Sequence, residues 1–178
     1  MAILKIARMG HPVLLQRAQP VADVADPAIQ RLIDDMIETM HDARGAGRAA
    51  PQVHVSLRLF VFHVTATRAG ADPEDAEMGD TVVINPQVTP VGDIIAQGWE
   101  GCLSIPGLQA AVPRPERVRY RGLDRHGIAF ERAASGFHAR LVQHETDHLD
   151  GILYPMRMSD FTQFGFNEEL ARAAEARA

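Results

Sequence analysis

The chain of 178 residues lacks several features that mark specialised protein classes. Its single cysteine, Cys102, excludes an internal disulfide framework and a zinc site made only of cysteines. No apolar run approaches the ~20 residues of a membrane span. The first residues also lack the long apolar segment and small-residue cleavage site of a secretory signal. We therefore expect a cytoplasmic protein with no membrane partner.

Basic residues are also fewer than acidic ones, with 18 Lys and Arg against 23 Asp and Glu. The formal net charge is -5, which argues against nucleic-acid binding through the whole surface, and we expect no sequence-specific nucleic-acid partner. Hydrophobic residues make up 46% of the chain and charged residues 23%, values typical of a soluble globular protein. The length suits one domain, and the sequence contains no internal repeat or long low-complexity tract.

Apolar periodicity predicts two firm helices. The first begins at Pro27, with Asp26 as N-cap, and ends near Arg44; the second runs from the N-cap Ser135 to Leu149. A weaker helix is predicted over 161–178. Strands are predicted over 53–64, 81–91, 94–97 (returning antiparallel to the strand before it), 117–123 and 128–131. Strands clustered before one central helix indicate an α+β fold with mostly antiparallel pairing.

The sharpest chemical pattern is HETDH at residues 144–148. On a helix, His144 and His148 lie one above the other, so both imidazoles can bind one metal ion, and Glu145 beside them can take a proton from water. The alternative is a polar helix surface. Metal binding is favoured because the same helix carries apolar residues that predict burial, and buried histidines need partners. These apolar residues are Leu141, Val142 and Leu149.

The residues alone leave the third ligand open. In metalloproteases of the metzincin type, a third histidine follows a glycine by three residues, but after Gly151 that position holds Tyr154. If the third ligand is a glutamate further along the chain, Glu168 is the nearest downstream candidate. Cys102, in EGCLS at 100–104, is either a buried small hydrophobe or the third ligand of a catalytic site with one open position.

A third segment, GAGRAAPQ at 45–52, is by itself a helix-to-strand turn. Gly45 and Gly47 allow close approach of a ligand to the backbone, and Gln52 offers an amide donor. The order GxGxAAPQ, EGCLS, HExDH closely resembles the peptide deformylases, and the resemblance runs through nearly the whole chain. It includes ILKIARMGHPVL near the start, SIPG, VPRPERV, Gln143 and LDGILY.

The resemblance implies an α+β fold in which small mixed or antiparallel sheets surround a central metal-binding helix. It implies a metal-dependent amidohydrolase that removes the formyl group from N-formylmethionyl nascent peptides and releases formate. Residues 1–160 would form the catalytic domain, with 161–178 as its helical tail.

Residue roles also follow from the resemblance. One Fe(2+) per chain, replaceable by Zn(2+), Ni(2+) or Co(2+), would be bound by Cys102, His144 and His148. Glu145 would move the proton, and Gln52 with the Leu103 N–H would stabilise the oxyanion. Gly47 and Gly45 would approach the substrate. From their position before HETDH, Phe137 and Leu141 are candidates for a methionine pocket.

Some features depart from the pattern or stay outside it. Arg48 stands where the family usually has an aliphatic residue; we expect it to pair with an acidic neighbour or face solvent. Arg114 and the arginines at 117–125 are expected to form a solvated face on an edge strand rather than an RNA patch. The tail is not strongly basic, which weighs against docking on the ribosome. Six histidines lack ligand spacing and are expected at the surface or in hydrogen bonds: His11, His41, His54, His63, His126 and His138.

Two other functions remain open at this point. A metallopeptidase would use the same helix with another third ligand and keep its activity without Cys102. A catalytically silent relative would only bind peptides, although the presence of Glu145, Gln52 and Cys102 argues against it.

Overall fold

A computed structural model describes residues 2–176. The α-helices are α1 (Pro27–Asp42), α2 (Gly136–Leu149) and α3 (Asn167–Glu175). The strands are β1 (Gly47–Ala49), β2 (Leu59–Val64), β3 (Met78–Pro90), β4 (Ile95–Cys102), β5 (Ile105–Pro115), β6 (Arg117–Leu123), β7 (Ala129–Ser135) and β8 (Phe164–Phe166). They form two sheets, ordered β1-β2-β3-β6-β7 and β4-β5-β8, in which every pairing is antiparallel. The predicted α+β class is confirmed.

The five-stranded sheet separates the two long helices because its strands alternate their side chains between two faces. Phe60 and Phe62 share an apolar cluster with Val142 and Leu149 of α2. Leu59 and its neighbours on the other face of β2 pack with α1. A third cluster lies under the smaller sheet and includes Ile105 and Val112 of β5. The metal-motif helix is therefore a core element, as its apolar residues predicted.

Local signals fix the ends of both long helices. The Asp26 carboxylate accepts a hydrogen bond from the Ala28 N–H at 2.8 Å, and Arg44, with φ 52°, ends the turn after α1. Gly151 follows α2 with φ +75°, and a Cβ there would lie 2.8 Å from the backbone of Leu15. Glycine is required at this position on both counts.

Several predicted elements need correction. Of the strand predicted over 53–64, only Leu59–Val64 is extended, since Ala50–Val53 form a 3₁₀ turn. The residues at 94–97 do not return along β3; β4 begins at Ile95 and pairs with β5. The helix predicted over 161–178 is α3 alone, because 164–166 form β8 beside β5. Residues 177 and 178 lie outside the described part.

The arginine face of β6 is solvated, but β6 is not an edge strand, because β3 and β7 flank it. Arg119 pairs with Glu131 at 2.9 Å, and Arg121 donates to Gln87. Arg117 forms ion pairs with Asp72 and Glu74.

No helix within residues 2–176 is long and apolar enough to cross a membrane. The assignment of 1–160 and 161–178 to a single domain remains a prediction, with the β5–β8 pairing joining the start of the tail to the smaller sheet.

Candidate metal centre

Cys102, His144 and His148 meet where the end of β4 faces α2. One ligand atom from each lies within 4.8 Å of the others, and Cys102 Sγ is 3.3 Å from His148 Nε2. The two imidazole rings, one helical turn apart, have centroids 5.0 Å apart. Among the described residues, Glu168 does not belong to this group, and Tyr154 packs beside the His144 ring instead. Of the third ligands that the sequence left open, Cys102 is the one that meets the histidine pair.

A buried carboxylate orients His144. The Nδ1 atom of His144 lies 2.8 Å from Glu100, so with Glu100 ionised it donates and leaves Nε2 to face the other ligands. Glu100 also accepts from Arg114 at 2.6 and 2.9 Å and from Arg140 at 2.8 Å. Burial raises the pKa of Glu100, but the hydrogen bonds from Arg114 and His144 outweigh it and hold that pKa well below its usual range. No motif in the sequence identifies Glu100 as an orienting carboxylate, although it lies two residues from Cys102.

Arg114 was grouped wrongly with the solvated arginines. It is 4% exposed, and besides Glu100 it donates to Asp147 at 2.8 Å. Asp147 lies inside HETDH and also accepts from Arg157 at 2.7 Å. The buried network therefore ties α2 to β4 and β5. In the sequence, the burial of Arg114 is indicated only by its position within the apolar stretch that forms β5.

The surroundings of Cys102 favour the thiolate form, which is the form that binds metals. Burial raises the pKa of the thiol, yet the neighbouring His148 and His144 hold it well below its usual range. Two donors point at the sulfur: Gln52 Nε2 and the Ser104 N–H, each at 3.4 Å.

Glu145 lies next to the ligands and against Gly47. A Cβ on Gly47 would overlap the Glu145 carboxyl group, so glycine is required where β1 meets α2. Glu145 is 3% exposed, and its Oε2 atom has no hydrogen-bond partner among residues 2–176. Desolvation raises its pKa, with His144 and His148 opposing the shift. A buried carboxyl group with a free oxygen and a raised pKa suits proton transfer.

A cleft of about 550 Å³ opens onto this group. Gln52 and Leu103 line it beside Cys102, and all four residues predicted to contact substrate line it as well: Gly45, Gly47, Phe137 and Leu141. The Gln52 side chain is held by its own turn, because its Oε1 accepts from the Ala49 N–H at 2.9 Å. Its amide nitrogen is thereby turned toward Cys102 and toward Ser104 Oγ at 3.2 Å.

The polypeptide deformylase family model matches residues 3–164. The chain belongs to the polypeptide deformylase family. This membership makes it a metalloenzyme that removes the N-formyl group from nascent chains.

Named relatives and solved structures agree with that membership. The deformylase is 52% identical to "Peptide deformylase 2" of Ralstonia nicotianae over 94% of each chain, and 46% identical to "Peptide deformylase 1" of Nitrosomonas europaea, also over 94% of each. The Ehrlichia chaffeensis peptide deformylase in complex with actinonin superposes with a TM-score of 0.84 at 34% identity, covering 92% of each chain. A Met-Ala-Ser-bound Acinetobacter baumannii enzyme gives a TM-score of 0.78 at 35% identity, covering 88% of this chain and 100% of that one.

Arg48 of the deformylase neither reaches solvent nor pairs with an acidic neighbour, contrary to expectation. Its side chain is fully buried, and its three guanidinium nitrogens have no hydrogen-bond partner in the described part of the chain. Desolvation lowers the pKa of Arg48, while the charges of Glu145 and Cys102 act against that shift.

Proposed function

We propose that Cys102, His144 and His148 bind one Fe(2+) per chain in this deformylase, and that Zn(2+), Ni(2+) or Co(2+) can replace it. The donor set supports this, since one thiolate and two imidazoles suit these borderline divalent ions better than Mg(2+) or Ca(2+). Two features of the site fit such an ion: the convergence of the three ligand atoms within 4.8 Å, and the hydrogen bond that turns His144 Nδ1 away toward Glu100. When bound, the ion lowers the pKa of a water molecule and polarises the formyl carbonyl.

Glu145 is the proton carrier of the proposed reaction. Its carboxylate takes the proton of the attacking water and later gives it to the amine that leaves. The position supports both steps, because Glu145 is adjacent to His144 in sequence and has an oxygen without a partner among residues 2–176. Gly47 also leaves room for the carboxyl group. Burial keeps bulk water from competing for that proton.

Gln52 and the Leu103 N–H would stabilise the oxyanion that forms on the formyl oxygen. The bond from Ala49 N–H to Gln52 Oε1 fixes the orientation of the amide before substrate arrives. The Gln52 NH₂ group already points at Cys102 Sγ and Ser104 Oγ, so donation to the oxyanion exchanges one of these bonds. The exchange favours the transition state only if the oxyanion is a stronger acceptor than the group that it replaces.

The residues that line the cleft suit a formylmethionyl peptide. Gly45 and Gly47 expose backbone along one wall, while Phe137 and Leu141 offer apolar surface near Glu145 for a methionine side chain. The Acinetobacter relative is bound to Met-Ala-Ser, a peptide that also begins with methionine.

The natural partner is then the nascent chain in the cytoplasm. The ribosome is a second candidate partner, but α3 is poorly suited to dock on it. Its first turn carries Glu168 and Glu169, and Arg172 is paired with Glu169 at 2.6 Å, which suits an anionic RNA surface poorly.

Formate release from a formyl-Met-Ala peptide by iron-loaded protein tests the proposal. His148→Gln and Cys102→Ala should lose both the ion and turnover, while the matched control His126→Gln, an exposed histidine, should keep both. Metal analysis beside the activity assay separates ligand loss from a damaged cleft. Full metal retention in Cys102→Ala would refute the ligand set. Activity retained in that variant would instead favour a metallopeptidase-like site with another third ligand.

A further inference from the structure

We infer a second divalent-metal site at His41, His63 and Asp80, on the surface where the end of α1 meets β2 and β3. One ligand atom from each of these residues lies within 4.8 Å of the others. None of them belongs to the catalytic group, and the inference does not rest on the proposed roles of the catalytic residues. The sequence concealed the cluster because its members come from three separate elements.

The Asp80 carboxylate is the centre of the arrangement. His41 Nε2 lies 2.8 and 3.0 Å from its two oxygens, and His63 Nδ1 lies 3.9 Å from Oδ1. The two imidazole rings stack with centroids 4.9 Å apart and planes inclined by 15°. Stacking directs a nitrogen of each ring toward the same carboxylate.

His63 supplies the observation that points to a ligand. Its Nδ1 atom is buried and has no hydrogen-bond partner within residues 2–176, since 3.9 Å to Asp80 is too long for a hydrogen bond. A buried polar atom that is left unsatisfied destabilises the fold. A metal ion between His63 and Asp80 would satisfy that lone pair and neutralise the carboxylate.

The separations suit a small ion. Metal–nitrogen and metal–oxygen bonds of about 2.0–2.2 Å place tetrahedral ligand atoms roughly 3.3–3.6 Å apart. The distances of 2.8 and 3.9 Å to Asp80 bracket that value. His41 and Asp80 keep 50% and 40% of their side-chain surface exposed, so both have room for the small shift that closes the set.

The chemistry selects a transition metal. Two imidazoles and one carboxylate match zinc and its neighbours, whereas Ca(2+) and Mg(2+) need more oxygen ligands. Arg44 and Arg68 line the adjoining cavity of about 240 Å³, and their positive charges oppose any cation, so an ion here has to be held by coordination bonds to the three ligands. We therefore assign the site to Zn(2+).

A bound ion would stabilise residues that line the catalytic cleft. The cavity beside His41 and His63 is also lined by Gly45 and Ala46, and both of these residues line the substrate cleft as well. The His63 N–H donates to the Ala46 carbonyl at 2.9 Å. Binding at the site would fasten the end of α1 to the sheet and should raise the melting temperature.

Equilibrium dialysis of the full chain against buffered free Zn(2+), with bound zinc counted per chain, tests the inference. We expect two ions in the wild type, one in His63→Gln and one in Asp80→Asn, while the control His126→Gln keeps two. Cys102→Ala should keep the second ion while losing the catalytic one, so failure of either site is seen separately. Circular dichroism and deformylase activity report whether the His63 and Asp80 variants fold.

A melting series completes the experiment. The second equivalent of zinc should raise the melting temperature of the wild type and leave that of His63→Gln unchanged. One ion per wild-type chain at saturating zinc, or two ions persisting in both His63→Gln and Asp80→Asn, would overturn the assignment.

Discussion

Replacing Arg48 with leucine should stabilise the deformylase, although the change removes a charged side chain from its interior. Arg48 is fully buried, and none of its guanidinium nitrogens has a partner among residues 2–176. Desolvation lowers the pKa of Arg48, because burial disfavours the charged form of the guanidinium. Few buried arginines are left without a partner in this way.

The surroundings of Arg48 suit an aliphatic side chain. In the β1–β2 register Arg48 is opposite Val61, and paired residues share one face of a sheet. Val61 belongs to the apolar cluster that contains Met36 and Met40 of α1. Leucine at position 48 would therefore extend this cluster.

The magnitude follows from two opposing effects. A buried charge that lacks a hydrogen-bonded partner destabilises a fold by about 3–5 kcal/mol, and the nearby charges of Glu145 and Cys102 offset part of that cost for Arg48. Leucine is smaller than arginine, and the cavity it leaves offsets about 1–2 kcal/mol of the gain. A net stabilisation of about 2 kcal/mol corresponds to a rise in melting temperature of about 4–8 °C for a chain of this size. Arg48→Met, whose unbranched side chain follows more of the length of the arginine stem, should gain at least as much.

Urea unfolding at equal metal content measures the effect, and Arg114→Leu is the matched control. Arg114 is also buried, but it pairs with Glu100 and Asp147, so its loss should lower the free energy of unfolding by about 3–5 kcal/mol. Two buried arginines should thus respond with opposite signs. If Arg48→Leu lowers the free energy of unfolding by more than about 1 kcal/mol, Arg48 has a stabilising partner in solution and the reasoning is wrong.

Three further predictions concern the site and the core. Glu145→Gln should keep the metal but lose turnover by about 10²–10⁴-fold, since an amide cannot accept the proton; formate release and metal analysis measure this, and turnover within a few-fold of wild type would remove Glu145 from the mechanism. Gly47→Ala should displace the Glu145 carboxyl group and lower kcat by about 10²-fold or more. The control Gly79→Ala should keep the wild-type kcat, because a Cβ there meets open space. Equal kcat values for the two variants would contradict the close approach of Gly47 to Glu145. Burial lowers the pKa of His138, so the folded chain binds fewer protons than the unfolded chain, and the free energy of unfolding should fall as the pH drops below about 6.5. Urea unfolding at several pH values should show that this free energy depends less on pH in His138→Gln. An equal pH dependence in the variant and the wild type would contradict the role of His138.

Local patterns predicted the metal-motif helix and its neighbours well. The α2 helix follows from periodicity and from Gly151, and the β6–β7 hairpin follows from alternation around the turn at 124–127. Such features depend on residues close in sequence. The structure agrees with them because no distant contact competes with the local preference.

Pairings between distant segments were beyond the sequence. The segment after Gly92 is predicted to return along β3, but it forms β4, which pairs with β5. The start of the predicted tail helix instead forms β8, which pairs with the other edge of β5. Glu100 and His144 are 44 residues apart, and nothing local shows that they meet. His41 and His63 likewise lack ligand spacing in the sequence, because such spacing identifies only ligands that share one element.

The departure at Arg48 is compatible with deformylase chemistry because of strand alternation. Gly47 faces Glu145, and Ala49 packs in the apolar cluster of α2, so the residue between them lies on the opposite face of β1. Among the described residues that line the cleft, Gly47 is present and Arg48 is not. Arginine at this position therefore affects the stability of the interior and not the shape of the substrate site. It follows that Arg48→Leu should raise the melting temperature while leaving KM close to the wild-type value, and a large change in KM would show that the charge of Arg48 reaches the substrate.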